Sequence, residues 1–441
     1  MNEMNWNDLL CSKRFGAEKW PDETDPGRTS FHKDCDRIIF SSSFRRLGKK
    51  TQVHPLAQND HVHTRLTHSL EVASVGRSLG IRCAEKIAND LPEDIDPTHI
   101  GQILQAACLS HDIGNPPFGH AGEEAIKSWF SHADNARILE GLSEAHQDDF
   151  KNFEGNAQGF RILTRLEHNV DDGGMRLTYA TLASMLKYPW TSMETKKVKK
   201  FCCFQSEVDF LNIISDKVKL IKRDECLYHR HPLAYLAEAA DDICYRILDL
   251  EDAHEMRILS YQEIMETLKG LYKVDSRYKE IINSNISNRR KMSFIRAKAI
   301  GTAIEGVVDS FTKNYEKIMK GNFESDLINK SDAQIKSPLD AAKKLSREKV
   351  FNEPRKIELE IGCYTVLGVL LNAFCSAVRE QVLSGEKISY KSSRVLAMMG
   401  INAPQKGDDL YKSLLKATDY ISGMTDNYAT HMAKQIGGMG V

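Results

Sequence analysis

A run that begins at Pro232 limits what this chain can become. Leu236, Ala240, Ile243, Ile247 and Leu250 recur at helical spacing through residues 232–257 and form one apolar stripe. Proline suits the first turn of such a helix, where its missing N–H has no partner to lose. The period returns elsewhere. Leu70, Val72, Val75, Leu79 and Ile81 mark 67–89 as helical. Residues 98–113 form a compact apolar helix that Gly114-Asn115-Pro116-Pro117 stops, and a further helix starts near His120. Segments 260–320, 356–384 and 406–436 read as helices too. Strand alternation is scarce, and one short hairpin is expected near 198–210. The expected fold class is therefore mostly α.

Two stretches break the pattern. Residues 131–157 are polar and irregular, which reads as a long functional loop or lid. Residues 321–355 are polar and basic, and read as a link to a C-terminal helical region. The expected organisation is an N-terminal arm with substrate contacts at 1–60, a core at 61–260 and a C-terminal helical region at 261–441. No apolar run approaches the roughly 20 residues that span a bilayer, and residues 1–16 lack the apolar stretch of a signal peptide. No membrane partner is expected. Ten cysteines lie scattered with no CxxC pair, which suits reduced thiols in a cytoplasmic protein. The net charge of −1 and a pI near 6.9 give no global basic footprint for nucleic acid. KKVKK at 196–200 is a local basic patch only.

The chemistry concentrates around His111-Asp112, at the end of an apolar segment where that pair is a poor packing choice. His68 lies upstream and Asp241 downstream. Together they make a set of two imidazoles and two carboxylates, which suits a divalent ion such as Mg, Mn, Co, Fe or Zn. Asp241 follows Ala239-Ala240 and precedes Ile243 by two, so burial is expected, and an unpaired buried carboxylate is costly. His61, His63 and His68 crowd one segment, and their spacing alone does not say which one binds metal.

Other residues extend the set. His120 and Glu123 are three apart at a helix start and share a face, an arrangement used for general acid–base work. The same spacing also suits a plain first-turn glutamate that stabilises the helix dipole. Arg65 could present a planar fork to a phosphate. Asp241, Tyr245 and Asp249 are four apart and share one face of the 232–257 helix.

RTSFHKDCDRIIFSSSFRRLGKKTQVHP, NDHVHTRLTHSLEVASVGR, LSHDIGNPPFGHAGEEAI, NFEGNAQGFRIL and YLAEAADDICYRILDLEDA resemble, in this order, the bacterial deoxyguanosinetriphosphate triphosphohydrolase family of the HD-domain superfamily. The likeness covers roughly residues 27–260, and DYISGMTDNYA at 419–429 is similar to the family's C-terminal segment. The resemblance implies an HD-domain helical fold with additional C-terminal helices. It implies a hydrolase that cuts a dNTP, dGTP included, at the α-phosphorus to give a deoxynucleoside and tripolyphosphate. By match to the family pattern, His68, His111, Asp112 and Asp241 would hold a divalent metal. His120 would act near the leaving or attacking oxygen, with Glu123 orienting it. Arg65, Lys187 and Tyr188 would contact the triphosphate, Gln52 and Asp249 the sugar 3′-hydroxyl, and Tyr245 would pack where a 2′-hydroxyl needs room. Relatives form homo-oligomers, often hexamers, and some respond to nucleotides or to single-stranded DNA, a partner that the overall charge does not favour here.

Two other functions fit parts of the pattern. Another HD-domain nucleotidase or phosphodiesterase would keep the metal set and release different products. A catalytically silent nucleic-acid-binding oligomer would have no reason to keep His120 beside Glu123.

Overall fold

The computed structural model describes residues 3–17, 25, 27–53, 62–167, 173–196, 200–384 and 388–439. The chain is helical almost throughout. Among the described residues the one sheet is an antiparallel hairpin of Lys222–Asp224 with Leu227–Tyr228, which sets Lys222 opposite Tyr228.

Three helices carry the centre of the fold: Arg65–Lys86, Pro97–Ser110 and Pro232–Glu255, each packed on the other two. Each starts where its sequence says it should. A Thr64/Thr67 capping box opens the first. Asp96 caps the second, with Pro97 at its first position. His231 caps the third, its Nδ1 accepting from Leu233 N at 3.1 Å ahead of Pro232. The stripe of Leu236, Ala240, Ile243, Ile247 and Leu250 is fully buried, as its spacing requires. Each large aliphatic side chain among them contributes about 1.5–3 kcal/mol of transfer free energy. On the first helix the buried line runs through His68, Val72, Val75 and Leu79, while Leu70 points out to solvent.

A continuous apolar core runs from Met4 to Val350 and gathers residues from all three expected segments. Trp6, Phe31 and Phe44 are buried in it, so the N-terminal segment is built into the core. A second apolar cluster lies around the Pro354–Ser384 helix. It packs Phe130, Phe150 and Phe153 against Phe374, Leu414 and Leu415. That helix is long and apolar enough to cross a membrane by length and composition, contrary to the expectation that no such segment exists. Half of its most apolar window is buried within this protein.

Three further sequence expectations change. Residues 131–157 are not an open loop: they form a 3-10 segment, Ala133–Leu139, and a helix, Glu144–Lys151. Ile138, Leu139, Phe150 and Phe153 anchor them, each at most 3% exposed. The hairpin lies at 222–228 rather than 198–210. Phe201 to Phe204 is instead a buried extended run, with Cys202 N bonded to Tyr188 O at 3.0 Å. Residues 321–355 are not a link. They hold the helix Ala333–Leu345 and a π-turn, Ser346–Val350, that pack on the Pro232–Glu255 helix through Ile335, Leu339, Ala342 and Val350.

Candidate active site

The three central helices converge on one set of donor atoms. His68 projects from the first helix, His111 follows the end of the second, and Asp241 comes from the middle of the third. His68 Nε2, His111 Nε2 and an Asp241 oxygen form a group whose ligand atoms all lie within 4.8 Å of one another. His68 Nε2 is 3.1 Å from Asp241 Oδ1, and His111 Nε2 is 3.5 Å from the same oxygen. His111 Nδ1 donates to the Cys108 carbonyl at 2.6 Å, since that oxygen can only accept. The bond leaves the Nε2 lone pair facing Asp241, the usual support for a metal-binding imidazole. His63 is held elsewhere, by Asp252 at 2.6 Å and Glu71 at 3.1 Å, and His61 lies outside the described residues.

Asp112 stands beside this group rather than within it. Its Oδ2 is 3.6 Å from His111 Nε2 and accepts from Arg65 Nη1 at 2.6 Å, while Oδ1 accepts from Asn115. Burial works against ionisation at Asp112, but Arg65, then His111 and His68, push its pKa down to about 2. At Asp241 burial also opposes the charge, and His111 and His68 still hold the carboxyl well below the usual carboxylate range. Two imidazoles beside two ionised carboxylates fit a borderline divalent cation, with no proton to displace from either carboxylate.

The turn after His111 fixes the next pair. Phe118 and Gly119 both adopt left-handed backbone conformations, with φ of 66° and 58°. A Cβ at position 119 would sit 2.2 Å from Arg65 Nη2, so glycine is needed for the guanidinium to reach Asp112. The Gly119–Ser131 helix then presents His120, whose side chain is 75% exposed, with Nδ1 2.8 Å from Glu123 Oε2. Glu123 is buried, and its other oxygen accepts from Gly155 N at 2.8 Å. Burial disfavours its charge, yet the hydrogen bond and charge of His120 keep its pKa below the ordinary value. Gly155 cannot carry a side chain here: a Cβ would lie 2.5 Å from Asn115 Oδ1 and 2.6 Å from Glu123 Oε1. One glycine thus docks against both the Asp112 and the His120 arms of the site.

Gln52, Arg65, His111, Asp112, His120, Glu123, Lys187, Tyr188, Asp241 and Tyr245 line a single cavity of 390 Å³. Two larger cavities, of 790 and 540 Å³, contain none of the candidate metal, acid–base or substrate residues, although Gln158, Arg161, Asp419 and Tyr420 of the quoted motifs line the larger one. Lys187 Nζ lies 3.2 Å from Glu238 Oε1, and Tyr245 packs its ring 5.9 Å from that of Phe351. Gln52 Oε1 is buried with no hydrogen-bond partner among the described residues. His68 lies behind the wall at 2% exposure, as does Asp249. Asp249 does not line the cavity, although it continues the face of Asp241 and Tyr245. Its Oδ2 has no hydrogen-bond partner among the described residues, and burial, then the charges of Asp252 and Asp241, push its pKa well up.

Among the lining residues to which the sequence assigned no role are Asn115, Glu154, Lys200, Glu238 and Lys343. Asn115 was visible as a turn residue and Glu154 as part of FEGNAQGF. Lys200 stood in a basic run whose residues 197–199 lie outside the described ones. Lys343 comes from the segment read as a link, and no signal marked it.

The HD domain family model matches residues 65–173, which include His68, His111, Asp112, His120 and Glu123 but not Asp241. The deoxyguanosinetriphosphate triphosphohydrolase-like protein of Pseudomonas aeruginosa is 48% identical, over 99% of both chains. A protein of the same description from Synechocystis is 39% identical, over 99% of this chain and 100% of that one. The deoxyguanosinetriphosphate triphosphohydrolase of Yersinia pestis is 29% identical, over 90% of this chain and 92% of its own.

Proposed function

The chain belongs to the deoxyguanosinetriphosphate triphosphohydrolase-like family of HD-domain hydrolases, and from that premise we propose that it cleaves a dNTP to a deoxynucleoside and tripolyphosphate. One observation carries the reading: a single cavity joins the His/Asp donor group, the His120–Glu123 pair and the cations Arg65, Lys187, Lys200 and Lys343. His68, His111, Asp112 and Asp241 would hold one divalent ion, Mg, Mn, Co or Fe. When bound, such an ion offsets phosphate charge and polarises the phosphoryl group.

The chain's own residues do the rest. Water oxygen bonds to the α-phosphorus, the bond from phosphorus to the sugar 5′ oxygen breaks, and the leaving oxygen takes up a proton. His120, exposed to the cavity and tied to Glu123, moves a proton at the attacking or leaving oxygen. Arg65, Lys187 and Tyr188 hold the triphosphate against repulsion from the six carboxylates of the lining. Gln52, which lines the cavity and whose Oε1 lacks a donor, would take the 3′-hydroxyl, and Tyr245 would wall the space that a 2′-hydroxyl needs; Asp249 does not line the cavity and has no part in this contact. Deoxynucleotides should therefore be cleaved far better than ribonucleotides. An apolar wall rejects an added hydroxyl weakly unless it also leaves a polar group unpaired.

The deciding experiment incubates the protein with each dNTP, and with GTP, in Mn²⁺ or Mg²⁺, and separates the products by chromatography. Tripolyphosphate is expected; pyrophosphate or orthophosphate would assign a different hydrolysis, and equal GTP and dGTP rates would remove the sugar reading. Self-association belongs to the same proposal, up to a hexamer, in a cytoplasmic setting. Ile357, Ile361 and Tyr364 support it, because they share one helix face at exposures of 39, 66 and 46%. Sedimentation velocity tests it, and a purely monomeric boundary at micromolar concentration would discard it.

A further inference from the structure

Lys187 owes its place to two residues, Glu238 and Arg230, to which the sequence assigned no role. Its Nζ lies 3.2 Å from Glu238 Oε1. The other Glu238 oxygen accepts from Arg230 Nη1 at 2.7 Å. Arg230 in turn rests against two rings, 5.5 Å from the centroid of Tyr188 and 5.2 Å from that of Tyr235. These five residues form one connected array of charge and ring face. Glu238 is its hinge, because it lines the substrate cavity and also the separate 540 Å³ cavity on its other side. Arg230 lines only that second cavity.

This arrangement poses an electrostatic problem. Glu238 is largely buried, with 14% of its side chain exposed. A carboxylate so placed repels a triphosphate in the same cavity. It also competes with that triphosphate for the charge of Lys187. Arg230 answers both difficulties from outside the cavity. It gives Glu238 a second cation, so that Lys187 can share its ammonium with phosphate without leaving a buried carboxylate unpaired. Its contact with the Tyr188 ring steadies the residue that follows Lys187.

We propose that Arg230 and Glu238 are a positioning pair for the polyphosphate: Glu238 sets Lys187, and Arg230, behind the cavity wall, neutralises Glu238 so that Lys187 is free to bind phosphate. The inference rests on the reading that this cavity takes a triphosphate. It predicts that a residue with no access to the substrate controls affinity for the substrate's phosphates.

The test uses the full chain loaded with Mn²⁺. Steady-state kinetics with a cleaved dNTP, and calorimetric titration with inorganic tripolyphosphate in excess Mn²⁺, are run on Arg230→Gln, Glu238→Gln and the double variant. Arg230→Gln should raise KM and the tripolyphosphate Kd roughly tenfold, the scale expected when a buried charge loses its partner, with a smaller fall in kcat. Adding Glu238→Gln to it should recover affinity to near that of Glu238→Gln alone, because the stranded carboxylate is gone. Arg230→Lys keeps the charge and should recover most of the loss. Thermal melts of each variant separate this from unfolding. Wild-type KM and Kd in Arg230→Gln would overturn the pair, as would a double variant as weak as Arg230→Gln. If the wild type released no tripolyphosphate from any dNTP, the hydrolase reading itself would fail. An active wild type with unaffected Arg230→Gln would remove only the pair.

Discussion

Asp241 and Asp242 are adjacent carboxylates with different surroundings. Asp241 Oδ1 faces His68 and His111, whereas Asp242 Oδ2 is bound to Arg246 at 2.7 Å. Neighbours on a helix point about 100° apart, so one of the two turns to the imidazoles. Asp241→Ala should therefore lose bound metal, and Asp242→Ala should keep most of it. Metal analysis of the two purified variants decides this, and stoichiometric metal in Asp241→Ala would remove that residue from the site. His120→Ala should keep metal and fold but lose roughly 10²–10⁴-fold in turnover, the usual worth of a positioned acid or base. Glu123→Gln should lose less and displace the pH–rate profile, since it orients the ring. A wild-type rate in His120→Ala would leave the Glu123 contact as helix stabilisation only. The site was legible in the sequence where spacing along one helix carried the information, as for His120 with Glu123 or Asp241 with Tyr245. It was not legible where partners meet across the chain. Arg65 lines the cavity, where a phosphate contact has to be, but no spacing shows that its guanidinium is also bound to Asp112 across 47 residues of sequence. Asp249 shares the helix face of Asp241 and Tyr245 by spacing, yet it is buried and does not line the cavity.

The long helices were legible because each buries a stripe at constant period, and their caps lie within a few residues of the predicted ends. The 131–157 stretch was not, because its anchors Ile138, Leu139, Phe150 and Phe153 follow no period and only tertiary contacts reveal them. The hairpin was misplaced for a related reason. Phe201 to Phe204 is as apolar as a strand but pairs with a loop, while the true hairpin begins with the exposed, charged Lys222, Arg223 and Asp224. One helix end yields a stability prediction. His231 is fully buried, with Nδ1 accepting from Leu233 N and Nε2 donating to Leu9 O at 3.1 Å. Only the neutral ring can make both bonds. Burial pushes its pKa down to about 4 from an ordinary 6.5. The unfolded chain therefore binds the extra proton first, and this contribution is complete above about pH 6.5 and lost as pH falls towards 4. It is on the order of 3 kcal/mol. Denaturant unfolding at pH 7 and pH 4.5 should show a steeper loss in the wild type than in His231→Asn, which keeps a capping side chain but does not titrate. Equal losses in the two would show that the histidine carries no such linkage.

At the scale of the whole molecule, the site depends on residues far apart in sequence. Asp426, at 2% exposure, accepts from Thr51 N at 3.0 Å, from Thr51 Oγ1 at 2.5 Å and from Phe118 N at 3.0 Å. It thereby ties the segment that carries Gln52 to the turn that carries His120. Lys50 strengthens the tie, its buried Nζ donating to Asn115 O at 2.6 Å and Ser422 O at 2.7 Å. Asp426→Ala leaves three donors unpaired and should cost about 1–3 kcal/mol for each that water cannot reach. Turnover should fall alongside stability, because His120 and Gln52 lose their common anchor. Denaturant unfolding and dNTP turnover check both, and wild-type values for each would mean that the tie carries no strain from the site.

The same tie orders events during synthesis. Domains assemble from the N-terminal side as the chain is made. A ribosome that has translated the entire HD-matched stretch, residues 65–173, has still to make Asp241, Lys343 and Asp426. A chain released at that point lacks the Asp241 carboxylate that faces His68 and His111 and the Asp426 carboxylate that accepts from Phe118 N. It should therefore cleave no dNTP until the later segments are added.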